Sequence, residues 1–254
     1  MEKVHCLWIG GPLSTMEKMA LQSHLNVGHE CHLWVYDRVE GVPEGILIED
    51  GNEILPAEEI FFYQVGEGKG SVSAFSNLFR YTLIFQIGGW WCDTDVVCLR
   101  PFIFDNEYVL ATERPDEKKT YSQITTCAFK CPPKSDLMKY CLDIVQKKDR
   151  SKLEWGEIGP LLFSEAAIMT GKSSFASSVE TFCPIHWFDV PKFVTEDVPT
   201  PNSTAVHFWN EVWRRQSIDK DAEYNPHCLY EKLKNVVLSN SQRSHRTLPF
   251  TEIH

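Results

Sequence analysis

The stretch IGGWWCDTDVV, residues 87–97, constrains the fold of this chain more than any other. A helical run stops at Gly88-Gly89, and the apolar residues after it read as a buried strand. Asp93 and Asp95 stand near the end of that strand. On extended backbone residues i and i+2 point the same way, so the two carboxylates would lie about 7 Å apart on one face, with Thr94 turned away. Such a pair is costly to bury unpaired, and a divalent cation carrying phosphate oxygens removes that cost. A solvated turn is the plainer alternative, because Asp-x-Asp arises by chance in many chains.

The remaining pattern predicts an α/β chain. VHCLWIGG (4–11) reads as a first strand. Residues 13–26 read as a helix with Met16, Met19, Ala20 and Leu25 inward and Gly28 at its C-terminal end, and CHLWVYD (31–37) as a second strand. Strand, helix, strand in about 35 residues imply a parallel pair with a crossover helix. Residues 38–70 offer only short strand candidates such as GILIE, and VGEGKGS lacks the spacing of a phosphate loop. Ser71 or Ser73 is the expected cap of the helix that ends at Ile87. Further strands are expected at 108–112, 124–131 and 205–209. Helices are expected at 135–148, capped by Ser135 or Asp136, at 159–171, opened by Pro160 and closed by Gly171, and at 226–238. Residues 184–202 look irregular. With no repeat or linker, one domain is expected over 1–240, followed by a polar tail over 241–254.

The 254 residues carry 25 Lys and Arg against 35 Asp and Glu, a net charge of −10. That argues against a broad nucleic-acid footprint but leaves room for a local basic pocket around one phosphorylated ligand. No apolar run reaches the roughly 20 residues of a membrane-spanning helix, and the N-terminus has no signal pattern. The expectation is a soluble, cytoplasmic protein with no transmembrane segment, for which any membrane link is a surface contact at the inner face or a partner. The basic tail SQRSHRTLPF is a candidate for it. Nine cysteines, odd in number and without a CxxC pair, read as reduced thiols rather than a disulfide framework or a zinc site, several of them as small core residues.

Asn77 and Arg80 lie i, i+3 on the otherwise apolar helix before the Gly-Gly, so they share one face. Arg offers a planar fork for hydroxyl, carboxylate or phosphate oxygens. The whole block SNLFRYTLIFQIGGWWCDTDVVCLRPF resembles the core of the DXD-containing glycosyltransferases of family 32. It is also similar to capsular polysaccharide glycosyltransferases and to the catalytic domains of the clostridial large glucosylating toxins. LWIGG resembles that family's first strand, and AVHFWNEVW its late His-to-Trp segment.

The resemblance implies a GT-A fold, with a Rossmann-like, mostly parallel central sheet flanked by helices. It implies a donor site in which Trp8 stacks on uracil, with Gly10, Ser76, Asn77, Arg80 and Asp93 around the donor and Trp213 on a closing lid. It implies Mn²⁺ or Mg²⁺ held by Asp95 and His207, joined by Asp93 and Asn210, and catalysis resting on Asp93, Asp95 and Arg80. The family usually has Asp where this chain has Asn77, which leaves the donor sugar open. GEIGP (156–160) resembles a family Gly-Pro on the acceptor side and is given no role.

The implied reaction is metal-dependent, retaining transfer of a hexose (Gal, Glc or GlcNAc) from a UDP-sugar to a hydroxyl of an oligosaccharide or lipid-linked glycan. The implied setting is synthesis of capsule, lipopolysaccharide or another surface polysaccharide. No Asp or Glu stands out as a covalent nucleophile or general base, so front-face attack assisted by the leaving phosphate is expected. Two other classes stay open: a metal-dependent phosphohydrolase or nucleotidyltransferase, and a non-catalytic carbohydrate-binding module using the eight tryptophans. Residues 38–70 and 184–202 are the expected acceptor side.

Overall fold

A computed structural model describes residues 3–239; the expected tail over 241–254 lies outside the described residues. The N-terminal half runs β1 (Lys3–Trp8), α1 (Thr15–Asn26), β2 (Glu30–Val35), β3 (Leu47–Asp50), α2 (Ser73–Ile87), β4 (Gly89–Cys92) and β5 (Val96–Cys98). The chain continues through β6 (Val109–Glu113), β7 (Gln123–Cys131), α3 (Asp136–Val145), α4 (Leu162–Met169), α5 (Val179–Phe182), α6 (Lys192–Thr195), β8 (Ala205–His207), α7 (Asn210–Gln216) and α8 (Leu229–Ser239).

Six strands form one sheet in the order β3-β2-β1-β4-β7-β6. β1, β2, β3 and β4 pair in parallel, whereas β7 runs antiparallel to both β4 and β6. A separate two-stranded sheet pairs β5 with β8. The fold is therefore α/β with a mostly parallel central sheet flanked by helices, as expected.

Both faces of the sheet are covered except at the exposed edge strand β3, which is why the inner strands read as almost continuously apolar. Alternation within a strand splits the core in two. Val4 and Cys6 of β1, with Trp90 and Cys92 of β4, pack against Met16, Met19 and Ala20 of α1 and against residues of the C-terminal third. Leu7 and Trp91 face the other way, onto Phe75, Phe79 and Tyr81 of α2 and Phe163 of α4. All nine cysteines are buried free thiols.

Several expectations are corrected. The strand expected through Asp93 and Asp95 breaks there: β4 ends at Cys92, and the Val96 N–H donates to the Asp93 carbonyl at 3.0 Å, closing a turn before β5. The residue preceding α2 is Val72; Ser71 Oγ accepts from the Ser73 N–H at 3.3 Å but does not cap the helix. The helix expected from 159 starts with a π-turn over Glu157–Leu161 that contains Pro160, and regular α-helix begins only at Leu162. A short helix, α7, was not expected. Two glycines behave as read: Gly28 sits at φ +86° just past α1, and Gly88 ends α2 at φ +71°, where a Cβ would come within 2.6 Å of Pro133. Ser135 caps α3 by accepting from the Met138 N–H at 3.3 Å. Among the described residues no helix is long and apolar enough to cross a membrane.

The topology points to a ligand site. From β1 the chain moves outward to β2 and β3, then returns through α2 to β4 on the opposite side of β1. Ligands in open α/β sheets bind in the crevice beyond the carboxyl ends of the strands at such a reversal. Trp8 ends β1, and Asp93 directly follows β4.

Candidate active site

A cleft of about 650 Å³ opens at that reversal, and Trp8, Ser76, Asn77, Arg80, Asp93, Asp95, His207 and Asn210 all line it. Eight of the ten expected site residues thus meet in one cavity, from segments scattered along the chain.

Arg80 is buried and engaged at all three guanidinium nitrogens. Its Nη1 contacts Asp93 Oδ1 at 2.9 Å and donates to the Thr126 carbonyl at 2.7 Å. Nε and Nη2 donate to the Ser76 carbonyl and Oγ at 3.1 and 2.8 Å. The guanidinium also lies over the Trp91 ring, 4.7 Å from its centroid. The Trp91 indole N–H adds a second donor to Asp93 Oδ1 at 2.9 Å. Arg80 and Trp91 therefore fix one carboxylate oxygen of Asp93 and leave Oδ2 for another partner. Burial raises the Asp93 carboxyl above its ordinary value despite the pull of Arg80, and Asp95 raises it further.

Asp95 is held from the C-terminal segment. Its Oδ2 accepts from the Asn210 backbone N–H at 2.7 Å and lies 3.3 Å from His207 Nε2. Burial alone would raise the Asp95 carboxyl, but His207 brings it below the usual range; burial alone would lower the His207 imidazole, but Asp95 lifts it well above its usual value. The other side of the imidazole faces sulfur, with Nδ1 4.0 Å from Cys183 Sγ and that sulfur 3.8 Å from Cys127 Sγ. Trp209 packs on the ring at a centroid distance of 3.9 Å.

One ligand atom each from Asp93, Asp95 and His207 lie within 4.8 Å of one another. Two carboxylates and an imidazole form a hard oxygen and nitrogen donor set that suits Mn²⁺ or Mg²⁺. A cation here would also offset the repulsion that raises Asp93, so the residues fit the expected metal. Asn210 reaches the group through its backbone N–H, which cannot ligate a cation; its expected role as a metal ligand is not what this contact provides.

Two expected residues stand elsewhere. Trp213 is fully buried among Phe193, Phe208 and Tyr230 and does not line the cleft. The helical pitch of α7 turns it into the core, while Glu211, Val212 and Arg215 face the cavity. Gly10 is exposed at φ +146° and lies outside the cleft lining; it shapes the loop in which the Trp8 indole donates to the Gly11 carbonyl at 2.8 Å.

Other lining residues escaped the sequence reading. Glu113 ends β6 and faces the cavity, and Arg215 lies over Trp155 at 4.3 Å while pairing with Glu67 at 3.0 Å. The one available signal for Glu113 was a charge directly after the apolar run YVLAT. The segments expected on the acceptor side contribute Tyr63, Glu67 and Trp187 to the lining. Gly159 of the GEIGP segment touches Asn77: a Cβ there would stand 2.9 Å from Asn77 Nδ2.

With this geometry in place, the likenesses to known proteins fall into line. Residues 30–116 match the family model described as the glycosyltransferase sugar-binding region containing a DXD motif. That segment carries α2, β4 and Asp93-Thr94-Asp95. The match covers about a third of the chain, the part that holds the aspartate pair.

Subversion of eukaryotic traffic protein A of Legionella pneumophila is 22% identical over 114 residues, covering 40% of this chain and 18% of that protein, less than a fifth of the relative's length. The PaToxG glycosyltransferase structure is similar at TM-score 0.49 and 14% identity, over 66% of this chain and 69% of that one. Apo-form GlyE of Streptococcus pneumoniae TIGR4 is similar at TM-score 0.44 and 14% identity, over 94% and 63%. Both TM-scores fall below 0.5, so the functional reading rests on the residues and on the match over 30–116.

Proposed function

We propose that the protein is a metal-dependent, retaining glycosyltransferase of GT-A type, with one catalytic unit over residues 1–240. It moves a hexose (Gal, Glc or GlcNAc) from a UDP-sugar to a glycan hydroxyl in surface-polysaccharide synthesis. The observation that carries this reading is the convergence of Asp93, Asp95 and His207 on the cleft floor, where the sheet reverses beside Trp8.

Asp93, Asp95 and His207 would hold Mn²⁺ or Mg²⁺. Bound there, the cation supplies Lewis-acid stabilisation of the charge on the departing diphosphate. Trp8, whose indole is anchored on the Gly11 carbonyl, presents an aromatic face to the nucleobase. Arg80 holds Asp93 in place, and its cationic head offsets negative charge at the diphosphate. Asn77 sits beside Gly159, with an amide able to donate to and accept from sugar hydroxyls. Retention of configuration follows the family resemblance, with the acceptor entering on the face from which the diphosphate leaves.

Calorimetric titration of UDP with and without Mn²⁺, followed by product analysis with UDP-sugars, tests the reading. Metal-dependent UDP binding and release of intact UDP are expected. Release of UMP would mark attack on phosphorus and overturn the transferase reading. Sugar binding that needs neither metal nor nucleotide would mark a binding module.

A further inference from the structure

Glu113 is a carboxylate only 7% exposed, on the wall of the cleft. Its place follows from register. Asp93 donates its N–H to the Cys127 carbonyl, and Glu113 pairs with Gln123 on the same strand, β7. The ends of β1, β4, β7 and β6 that carry Trp8, Asp93, Gln123 and Glu113 lie along one edge of the sheet, in that order. At about 4.8 Å per strand, Glu113 stands roughly 10 Å from the Asp93 strand, on the side away from Trp8. A donor with its base on Trp8 and its diphosphate by Asp93 and Asp95 directs its sugar and the acceptor toward Glu113. At that end Tyr121 and Trp187, 56% and 36% exposed, offer flat apolar surface beside the cavity.

The hydrogen-bond partners of Glu113 are uncharged, and the attraction of His207 offsets its burial only in part. Gln123 Nε2 donates to its Oε1 at 3.0 Å, and the Thr125 side chain supplies a further hydrogen bond. A buried carboxylate whose hydrogen bonds come from neutral groups is costly as a structural element, since desolvating an ion costs several kcal/mol. Burial also pushes this carboxyl above its ordinary value, which suits it to proton transfer nearer neutrality.

We propose that Glu113 is the catalytic base on the acceptor side. Its carboxylate takes the proton of the acceptor hydroxyl as that oxygen bonds to the anomeric carbon. The bond from that carbon to the diphosphate oxygen breaks, its electron pair leaves with the diphosphate, and Glu113 later returns its proton to solvent. The inference rests on the transferase reading and replaces the leaving phosphate as the proton acceptor.

The test is Mn²⁺-dependent hydrolysis of UDP-glucose, UDP-galactose and UDP-GlcNAc, with water as acceptor, by wild type, Glu113→Gln and Glu113→Asp. UDP·Mn²⁺ affinity is measured in parallel. Expected is UDP·Mn²⁺ affinity within about twofold of wild type in Glu113→Gln, turnover lower by about 100-fold or more, and partial recovery in Glu113→Asp. Turnover of Glu113→Gln within about threefold of wild type overturns the proposal. So does joint loss of binding and turnover, which marks a structural role, and so does a wild type that binds UDP·Mn²⁺ yet hydrolyses none of the three sugars. A wild type that does not bind UDP·Mn²⁺ fails one step earlier, at the transferase reading, and removes the base with it.

Discussion

His207 Nε2 lies 3.3 Å from Asp95 Oδ2 because Val96, the residue after Asp95, is the register partner of His207 in the β5–β8 pair. The small sheet thereby brings the late histidine to the end of the aspartate turn. Replacing either side chain by alanine removes one of three hard donors. Asp95→Ala and His207→Ala should each weaken Mn²⁺-dependent UDP binding by about 100-fold or more, since even the outer-shell partners of metal ligands cost about 10–100-fold. Calorimetry with and without Mn²⁺ reads the loss; unchanged affinity in both variants would rule out the proposed metal centre.

Arg80, itself buried, is the counter-ion of the half-buried Asp93 carboxylate. Arg80→Ala leaves Asp93 with the Trp91 N–H but no counter-ion, and the loss should be about 2–3 kcal/mol, below the cost of breaking a fully buried ion pair. Arg80→Lys should recover little, because one ammonium cannot reach Asp93, Thr126 and Ser76 together. Urea unfolding gives both values, and a loss below about 1 kcal/mol in Arg80→Ala would show that the pair is not stabilising.

Trp213 separates a core role from a lid role. Its indole N–H has no hydrogen-bond partner, so Trp213→Phe forfeits no polar contact. This variant should keep its UDP·Mn²⁺ affinity, while Trp213→Ala should lose about 3–5 kcal/mol of stability. A large fall in UDP affinity in folded Trp213→Phe would restore the lid reading.

Two buried histidines disfavour the folded state in acid. Burial holds His5 near pKa 4 and His24 near 3, against an ordinary 6.5. Below pH 6.5 the unfolded chain takes up protons that the folded chain refuses. Their contribution is therefore whole above pH 6.5 and is lost as pH falls toward 4, with a slope reaching about 2.7 kcal/mol per pH unit for the two together. His24→Phe should cut that slope by about half. Urea titrations at pH 7, 6 and 5.5 would show it, and an identical slope in the variant would contradict it.

Gly159 places the Asn77 amide. Gly159→Ala brings a Cβ to 2.9 Å from Asn77 Nδ2, so the amide must shift by a few tenths of an ångström. UDP·Mn²⁺ binding should persist while sugar transfer slows by about tenfold or more, as small misplacements at reacting centres do. Equal kinetics for UDP-sugar turnover in variant and wild type would dissociate Asn77 from the sugar.

The sequence made the main elements legible wherever one local rule acted alone. Strict apolar runs gave β1, β2, β4 and β7, and a serine followed by an amphipathic run gave α3. Gly28 and Gly88, at positive φ, ended α1 and α2 where they were expected. The Asp-x-Asp turn was read as strand because Val96 and Val97 continue the apolar pattern, and periodicity does not register a two-residue reversal between two buried segments. Gly10 and Trp213 were placed in the site by resemblance; Gly10 instead shapes the loop after β1, and Trp213 sits on a helix of seven residues whose inward face only its neighbours choose.

By itself the sequence determined the α/β class, the helix-glycine-strand block and the chemical identity of Asp93, Asp95, Arg80 and His207, because these depend on local periodicity, turn chemistry and side-chain type. Tertiary structure alone decided that His207 closes on Asp95, that Cys127 and Cys183 meet behind it, that Trp213 is core, and that Glu113 faces the cleft. Each is a contact between segments distant in the chain, fixed by strand order and register, which no short stretch of residues encodes.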